Sequence, residues 1–408
     1  NAGYPASTSQ SNNTVTLNDT TAPTSNSISI AGGAVYTSST SVTLTLTSTG
    51  ASQMRFKNEL GGTWSSYEPY ATSKSWKLDS TEGTNTVYVQ FRDAVGNEAS
   101  AVDNTIILDS VAPTVTVASP NGGEVWSGTK IITWNTTDAN SSSRVISVST
   151  NGGSSYTTLS SSASDSGSYS WDTTGTSDSS TVRINVTVTD KAGNTASDIS
   201  NVNFVIDNTA PTMTLTSSAV ADGGTHNAAV TMAFTSSEST SNFVEDDISV
   251  SNGTLSSFVG TGTTYTATIT PTGSSPSVVV GSNKFTDSAG NNNTVSNTYN
   301  WTHDATPPTG NSISINGGAS YTNSTSVTLT LASTGASQMR FKNESSGTYT
   351  SYEAYATSKS WTLANSEGTN TVYVQFKDVV GNVASAVSDT IDFDTTSPTM
   401  TLTASAVA

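Results

Sequence analysis

The stretch Ser25–Asn58 reads SNSISIAGGAVYTSSTSVTLTLTSTGASQMRFKN, and it returns nearly unchanged as GNSISINGGASYTNSTSVTLTLASTGASQMRFKN at Gly310–Asn343. Inside it, SVTLTLTS (Ser41–Ser48) alternates small polar with apolar residues. That period of two places one face of a strand on a core and the other in water. The same alternation recurs in TVYVQF (Thr86–Phe91), TVRINVTVTD (Thr181–Asp190), NVNFVID (Asn201–Asp207) and TYTATIT (Thr264–Thr270). Val, Thr, Ile and Tyr fill these runs, as β-propensity requires, and Gly, Asn and Ser punctuate them. No stretch carries a sustained helical period. Trp64, Trp76, Trp134, Trp171 and Trp361 are expected to pack in cores or between sheets.

The repeat extends without a gap through YATSKSW (Tyr70, Tyr355), EGTNTVYVQF (Glu82, Glu367) and a pentapeptide, DAVGN at Asp93 and DVVGN at Asp378. Variants of the pentapeptide appear as DKAGN at Asp190 and DSAGN at Asp287. A second motif punctuates the chain: DTTAPT at Asp19, DSVAPT at Asp109, DNTAPT at Asp207, DATPPT at Asp304 and DTTSPT at Asp394. These marks divide the 408 residues into a type A domain (21–110), a type B domain (111–208), a type C domain (209–305) and a second type A domain (306–395). Each has the size of one immunoglobulin-like sandwich, so the expected fold is all-β: an elongated tandem array of immunoglobulin-like β-sandwich domains. PTMTLTASAVA from Pro398 copies PTMTLTSSAVA from Pro211, so 396–408 is expected to be the first strand of a further type C domain or a donated strand. Residues 1–20 fit the last strand of a preceding domain or a free arm.

Composition narrows the function. The net charge is −17, from 31 acidic against 14 basic residues. Nucleic acid and anionic membrane surfaces need clusters of Lys and Arg, and neither is an expected partner. No apolar run approaches the length of a membrane-spanning helix. The absence of Cys fits a reducing compartment or an exported protein built without thiols.

The linker D-x-T-A-P-T together with D-x-A-G-N near each domain's end resembles the bacterial Ig-like repeats of large extracellular adhesins and of biofilm and surface-filament proteins. FVEDDISVSNGTLSSFVGTGTTYTATITPTGSSPSVVVGSNKFTDSAGNNNT (Phe243–Thr294) is similar to one such repeat family. SPNGGEVWSGTKIITW (Ser119–Trp134) with STNGGSSYTTL (Ser149–Leu159) resembles another module of secreted bacterial and archaeal proteins. The resemblance implies an extracellular, cell-surface setting and names no ligand.

Two readings of the pentapeptide stand side by side. D-x-x-G-N is good turn chemistry: Asp caps backbone N–H groups, Gly takes a positive φ and Asn tolerates a left-handed conformation. The turn would join the last two strands, and a final strand of about ten residues at ~3.3 Å each then runs to the opposite pole. The pentapeptide should therefore face the linker that precedes its own domain. That pairs Asp19 with Asp93, Asp109 with Asp190, Asp207 with Asp287 and Asp304 with Asp378 as candidate interdomain calcium sites. Carboxylates and carbonyls are the hard oxygen ligands Ca²⁺ takes, and the resemblance points the same way, since related adhesin repeats are stiffened by interdomain Ca²⁺. Pro23, Pro113, Pro211, Pro308 and Pro398 favour stiff linkers without any metal.

Catalysis is not expected. His226 and His303, the only histidines, fall in different predicted loops, and no Cys or nucleophile motif accompanies them. Asp246 and Asp247 are adjacent, so a shared acid/base role would require opposite faces of a strand to cooperate. Lys57, Lys74, Lys342 and Lys359 would need a buried acid to form isopeptide links. N-x-S/T sequons begin at Asn12, Asn18, Asn135, Asn140, Asn185, Asn252, Asn292, Asn300, Asn323 and Asn343, candidates for glycosylation in an exported chain.

Three functions compete. The first is a rigid stalk or filament segment made of such domains, its partners being further repeats or neighbouring copies, with Met400, Leu402 and Val407 as polymer contacts if strands are donated. The second is a binding module in which Trp64, Tyr67, Tyr70 and Trp76 touch surface glycans, decided by whether these rings are exposed. The third is the non-catalytic spacer of a large secreted hydrolase.

Overall fold

The computed structural model describes residues 18–163, 166–364 and 367–403. Asn12 and Val407 lie outside these residues. The chain divides into two compact units at Asn208/Thr209.

In the first unit, strands Thr24–Ile30, Ser41–Thr49 and Ser73–Lys77 form one sheet. It faces a second sheet ordered Tyr36–Thr37, Val102–Leu108, Gly83–Arg92, Gln53–Asn58 and Glu68–Pro69. The alternation seen in the sequence is the cause. Val42, Leu44 and Leu46 of one sheet meet Met54, Phe56, Val87, Val89 and Phe91 of the other, and the intervening Thr side chains remain in solvent. The next sandwich pairs Thr114–Ser119, Thr129–Thr137 and Ser168–Asp172 against a larger sheet centred on Ser179–Asp190. Its core closes on Trp126, Trp134, Trp171 and Phe204.

The second unit begins with Met213–Thr216, Val230–Thr240 and Gly253–Pro271 in one sheet and Ile248–Ser251, Ser277–Val280 and Tyr299–Asn300 in another. Phe234, Phe243, Tyr265, Phe285 and Trp301 fill the space between them. Then the first sandwich's architecture repeats over Thr309–Phe393, strand for strand and register for register. The protein is an all-β chain of immunoglobulin-like sandwiches. Among the described residues, no helix is long and apolar enough to cross a membrane.

Two expectations need correction. The last strand is shorter than about ten residues, seven at Val102–Leu108 and at Val387–Phe393, and in the second and third sandwiches it is broken. In the second sandwich, Thr195–Ile199 and Phe204–Ile206 are separate strands, and the Ser200 hydroxyl accepts the Ile184 N–H where the ladder lapses (3.1 Å). The stretch Asn201–Asp207 is thus strand only over Phe204–Ile206. The histidines are the second case: they lie on strands, Thr225–His226 and Thr302–His303, which pair with each other. Asp246 and Asp247 sit in a single turn, Glu245–Asp247, where the Asp247 carboxylate accepts the Val244 N–H (2.9 Å).

Candidate functional site: turn and linker

Three of the pentapeptides stand at the end of a long strand, Gly83–Arg92, Ser179–Asp190 or Gly368–Lys377, while the strand before Asp287, Ser277–Val280, is short and ends earlier. Phe91, Val188, Phe285 and Phe376, two residues before each Asp, are all buried. The chain then reverses, and the Asp carboxylate holds the reversal. Asp93 Oδ1 accepts the N–H groups of Val95 (2.9 Å), Gly96 (2.7 Å) and Asn97 (2.9 Å), while Oδ2 accepts Asn97 Nδ2 (2.7 Å). Asp287 repeats this with Ala289, Gly290 and Asn291. Asp378 takes Gly381, Asn382 and the Asn382 amide, and Asp190 takes both nitrogens of Asn194. Gly96, Gly193, Gly290 and Gly381 have φ between 90° and 102°, so the turn needs glycine there. The Asn does not adopt a left-handed conformation in any copy. It is present for its amide.

That amide has two N–H bonds, and the second reaches out of the domain. Asn97 Nδ2 donates to the Asp19 carbonyl (2.9 Å), Asn194 Nδ2 to the Asp109 carbonyl (2.8 Å) and Asn382 Nδ2 to the Asp304 carbonyl (2.8 Å). The turn therefore meets the linker preceding it through Asn, a residue the sequence reading had assigned only a backbone role. The signal for it was present: the fifth position is Asn in every copy. Asp207 closes the first unit and Asp287 belongs to the second.

The linker Asp is held from the other direction as well. A short parallel rung joins the last strand to the strand near the domain's start, as in Tyr36–Thr37 with Ile107–Leu108. The rung ends on the Asp: Asp109 N–H donates to the Thr37 carbonyl (2.9 Å), Asp207 to Trp126 (3.0 Å), Asp304 to His226 (3.1 Å) and Asp394 to Thr322 (3.0 Å). Asp109 and Asp304 thus give their N–H to the domain before and their carbonyl to the domain after. Side chains add to this. Asp109 Oδ2 accepts Asn140 Nδ2 (2.8 Å), Lys191 lies over the Tyr36 ring (5.5 Å), and Asn227 Nδ2 donates to Asn382 Oδ1 (3.2 Å). Asp19 and Asp304 cap their own linkers by accepting the Thr21 (2.9 Å) and Thr306 (3.0 Å) N–H groups.

Electrostatically, burial opposes the Asp93 charge, but the Asn97 amide and the turn N–H groups outweigh it and hold the carboxyl below its ordinary value. A depressed folded pKa contributes stability that is fully present above the unfolded value, about 3.9, and is lost as pH falls through the folded one. The first turn is expected to stay closed on acidification to about pH 4 and to open only below it. Hydrogen exchange of the Gly96 and Asn97 amides across pH 3 to 6 reads this, and opening near pH 5 would contradict it.

With the Oδ1 atoms committed to N–H groups, what remains for a cation at these junctions is the outer side of the Oδ2 atoms and the linker Asp carboxylates. Several sequons are occupied by structural work. Asn140 and Asn343 spend their side-chain nitrogens on Asp109 and on the Thr362 carbonyl, and Asn252 on the Ser275 carbonyl. Asn185 is half-buried, whereas Asn18, Asn135, Asn292, Asn300 and Asn323 are exposed. Met400 and Leu402 are exposed and belong to no strand.

The aromatic residues of the first sandwich are engaged too. Trp76 packs on Phe56 (5.2 Å) and donates to Asn58 Oδ1 (2.6 Å), and Tyr70 meets Phe91 edge-on (5.8 Å). Trp64 and Tyr67 do not join the core. Arg55 lies over both rings, and Arg92 stacks on Tyr67 at 3.8 Å. Burial, then the Glu98 carboxylate, push the Tyr67 hydroxyl up to about 12. In the second copy, Arg340 and Lys342 lie over Tyr349 as Arg55 and Lys57 lie over Trp64, and Tyr352 carries Arg340 and Lys377, the latter in place of Arg92.

Known families match this architecture. Residues 207–303 match a bacterial Ig-like domain, and residues 72–200 match a bacterial Ig-like domain of group 3. The protein carries bacterial Ig-like domains. The group 3 match begins inside the first sandwich and runs through most of the second. Solved structures similar to these Ig-like domains include a tetra-tandem repeat from the extending region of a large adhesion protein (18% identity, 88% of this chain and 97% of that one, TM-score 0.34). A 1.5-MDa bacterial ice-binding adhesin is similar at 17% identity, over 68% of this chain and 97% of that one, TM-score 0.32. Fibronectin(III)-like modules of Clostridium thermocellum CbhA share 14% identity over 45% and 94%, TM-score 0.29. At these scores the structural likenesses add nothing to the family matches. No curated protein matches the chain.

Proposed function

We propose that this protein is a non-catalytic structural segment of an extracellular surface fibre or giant adhesin, in which Ig-like domains are set end to end by stiffened linkers. The observation that carries the reading is the linker Asp bonded on both sides, at Asp109 and again at Asp304. A spacer must resist bending at its joints, and two hydrogen bonds on a single residue remove the freedom of the link at the point where it leaves one sandwich. Calcium contributes a second, weaker restraint in this reading, held by the carboxylates of Asp19, Asp93, Asp109, Asp190, Asp207, Asp287, Asp304 and Asp378 with the affinity of extracellular modules. Met400 and Leu402 are the residues a neighbouring copy would take up in a strand-donated fibre.

Small-angle scattering over a concentration series tests all three statements. The maximum dimension is expected to shorten and its distribution to broaden in Asn194→Ala and Asn382→Ala, because each loses a bond of about 1 kcal/mol at a joint. Chelator should produce a smaller change of the same sign, and a rise in mass with concentration would mark polymerisation. An unchanged profile in both variants would overturn the stiffened-linker reading.

A further inference from the structure

The only two histidines of the chain face each other. His226 and His303 are direct register partners in a parallel rung, Thr225–His226 with Thr302–His303, although they lie far apart in sequence. Facing residues of parallel strands project from the same side of the sheet, and the strands are about 4.8 Å apart. We infer that this pair forms a binding site for a divalent transition ion such as Zn²⁺ or Cu²⁺.

The other sandwiches show what this position ordinarily holds. The residue before each linker Asp is Leu108, Ile206 or Phe393, all buried, and its parallel partner is Thr37, Trp126 or Thr322. Only the third sandwich replaces the apolar residue with imidazole, and it replaces the partner with a second imidazole. A single His would be an ordinary polar substitution at the mouth of a core. Two in register give up apolar closure on the last strand and place two nitrogen donors together. Both are half-buried, and the described residues offer no hydrogen bond to either ring. Their nitrogens are open to a ligand rather than committed to the fold.

The chemistry selects the ion class. Imidazole nitrogen is a borderline donor that suits Zn²⁺, Cu²⁺ and Ni²⁺ and serves Ca²⁺ and Mg²⁺ poorly. Each ring gives one nitrogen lone pair, water fills the remaining positions, and no covalent bond breaks. The site is thus chemically separate from the carboxylate positions of the linkers. It also lies next to the Asp304 junction: the His226 carbonyl accepts the Asp304 N–H, and Asn227 reaches Asn382 of the following domain. An ion held here would clamp the rung on which that linker is hung.

Because the chain has two histidines, their ring signals can be read in the intact protein without substitution. Zn²⁺ titration followed by ¹H–¹³C correlation of the imidazoles is expected to move both rings together and to saturate at one equivalent. Millimolar Ca²⁺ should leave them in place. His226→Gln and His303→Gln should each weaken Zn²⁺ binding, measured by calorimetry, by at least the about 10–100-fold that loss of an outer-shell partner costs. The inference is overturned if the rings do not respond, if they respond at different concentrations, or if either folded variant keeps full affinity.

Discussion

Replacing Asp287 by Ala is expected to destabilise the third sandwich by about 3 kcal/mol, the upper range for a hydrogen-bonded charge at a site that water can partly reach. The carboxylate accepts three backbone N–H groups and the Asn291 amide, and it is only 7% exposed. Its removal takes one shared acceptor from the N–H groups of Ala289, Gly290 and Asn291 at once. Asp287→Asn separates charge from geometry. It keeps an oxygen for the backbone but sets an amide against the Asn291 amide, so a loss of about 1 kcal/mol is expected. Hydrogen exchange over residues 277–303 measures the opening free energy of this domain alone, which a global melt of several domains does not. A change below about 1 kcal/mol for the Ala variant would show that the turn holds itself without its cap.

The second large effect concerns the core under the same turn. Phe376 is fully buried, two residues before Asp378, and meets Tyr355 edge-on at 5.8 Å. Phe376→Ala should cost about 3–5 kcal/mol, from lost burial and the cavity left behind. Phe91 has the same neighbour geometry with Tyr70, 5.8 Å and 76°, so Phe91→Ala should cost the same within about 1 kcal/mol. Calorimetry of the whole chain should show one transition moving in each variant. Unequal losses would mean that nearly identical sequences reach different stabilities through their differing loops, where Trp64 and Glu98 give way to Tyr349 and Val383.

The strands were legible because Thr–Leu and Thr–Val alternation has one physical solution, a half-buried sheet, and the pentapeptide was legible as a turn because Gly in its fourth position can hold positive φ. The junction was harder to see. The sequence put two carboxylates near each other, and the arithmetic of strand length aimed each turn at the linker before it. Which polar atom crosses that space depends on rotamers, and it proved to be the amide of Asn97, Asn194 and Asn382. The Asp side chains turned inward to cap their own loops. The histidine pair was illegible for a different reason. Parallel rungs join residues far apart in sequence, and the local pattern around His226 and His303 reads as loop on either side.

The parallel rung has one more consequence, for a chain under load. Tension enters each sandwich through its first strands and leaves through its last. Pairs such as Tyr36–Thr37 with Ile107–Leu108 lie between those two points of application. Because the strands run parallel, pulling slides them past each other and strains every bond of the rung together, instead of peeling the bonds one at a time. The linker Asp, whose N–H is the last bond of that rung, is also where the force passes to the neighbour. Its position makes the joint between domains part of the mechanical clamp of the domain before it.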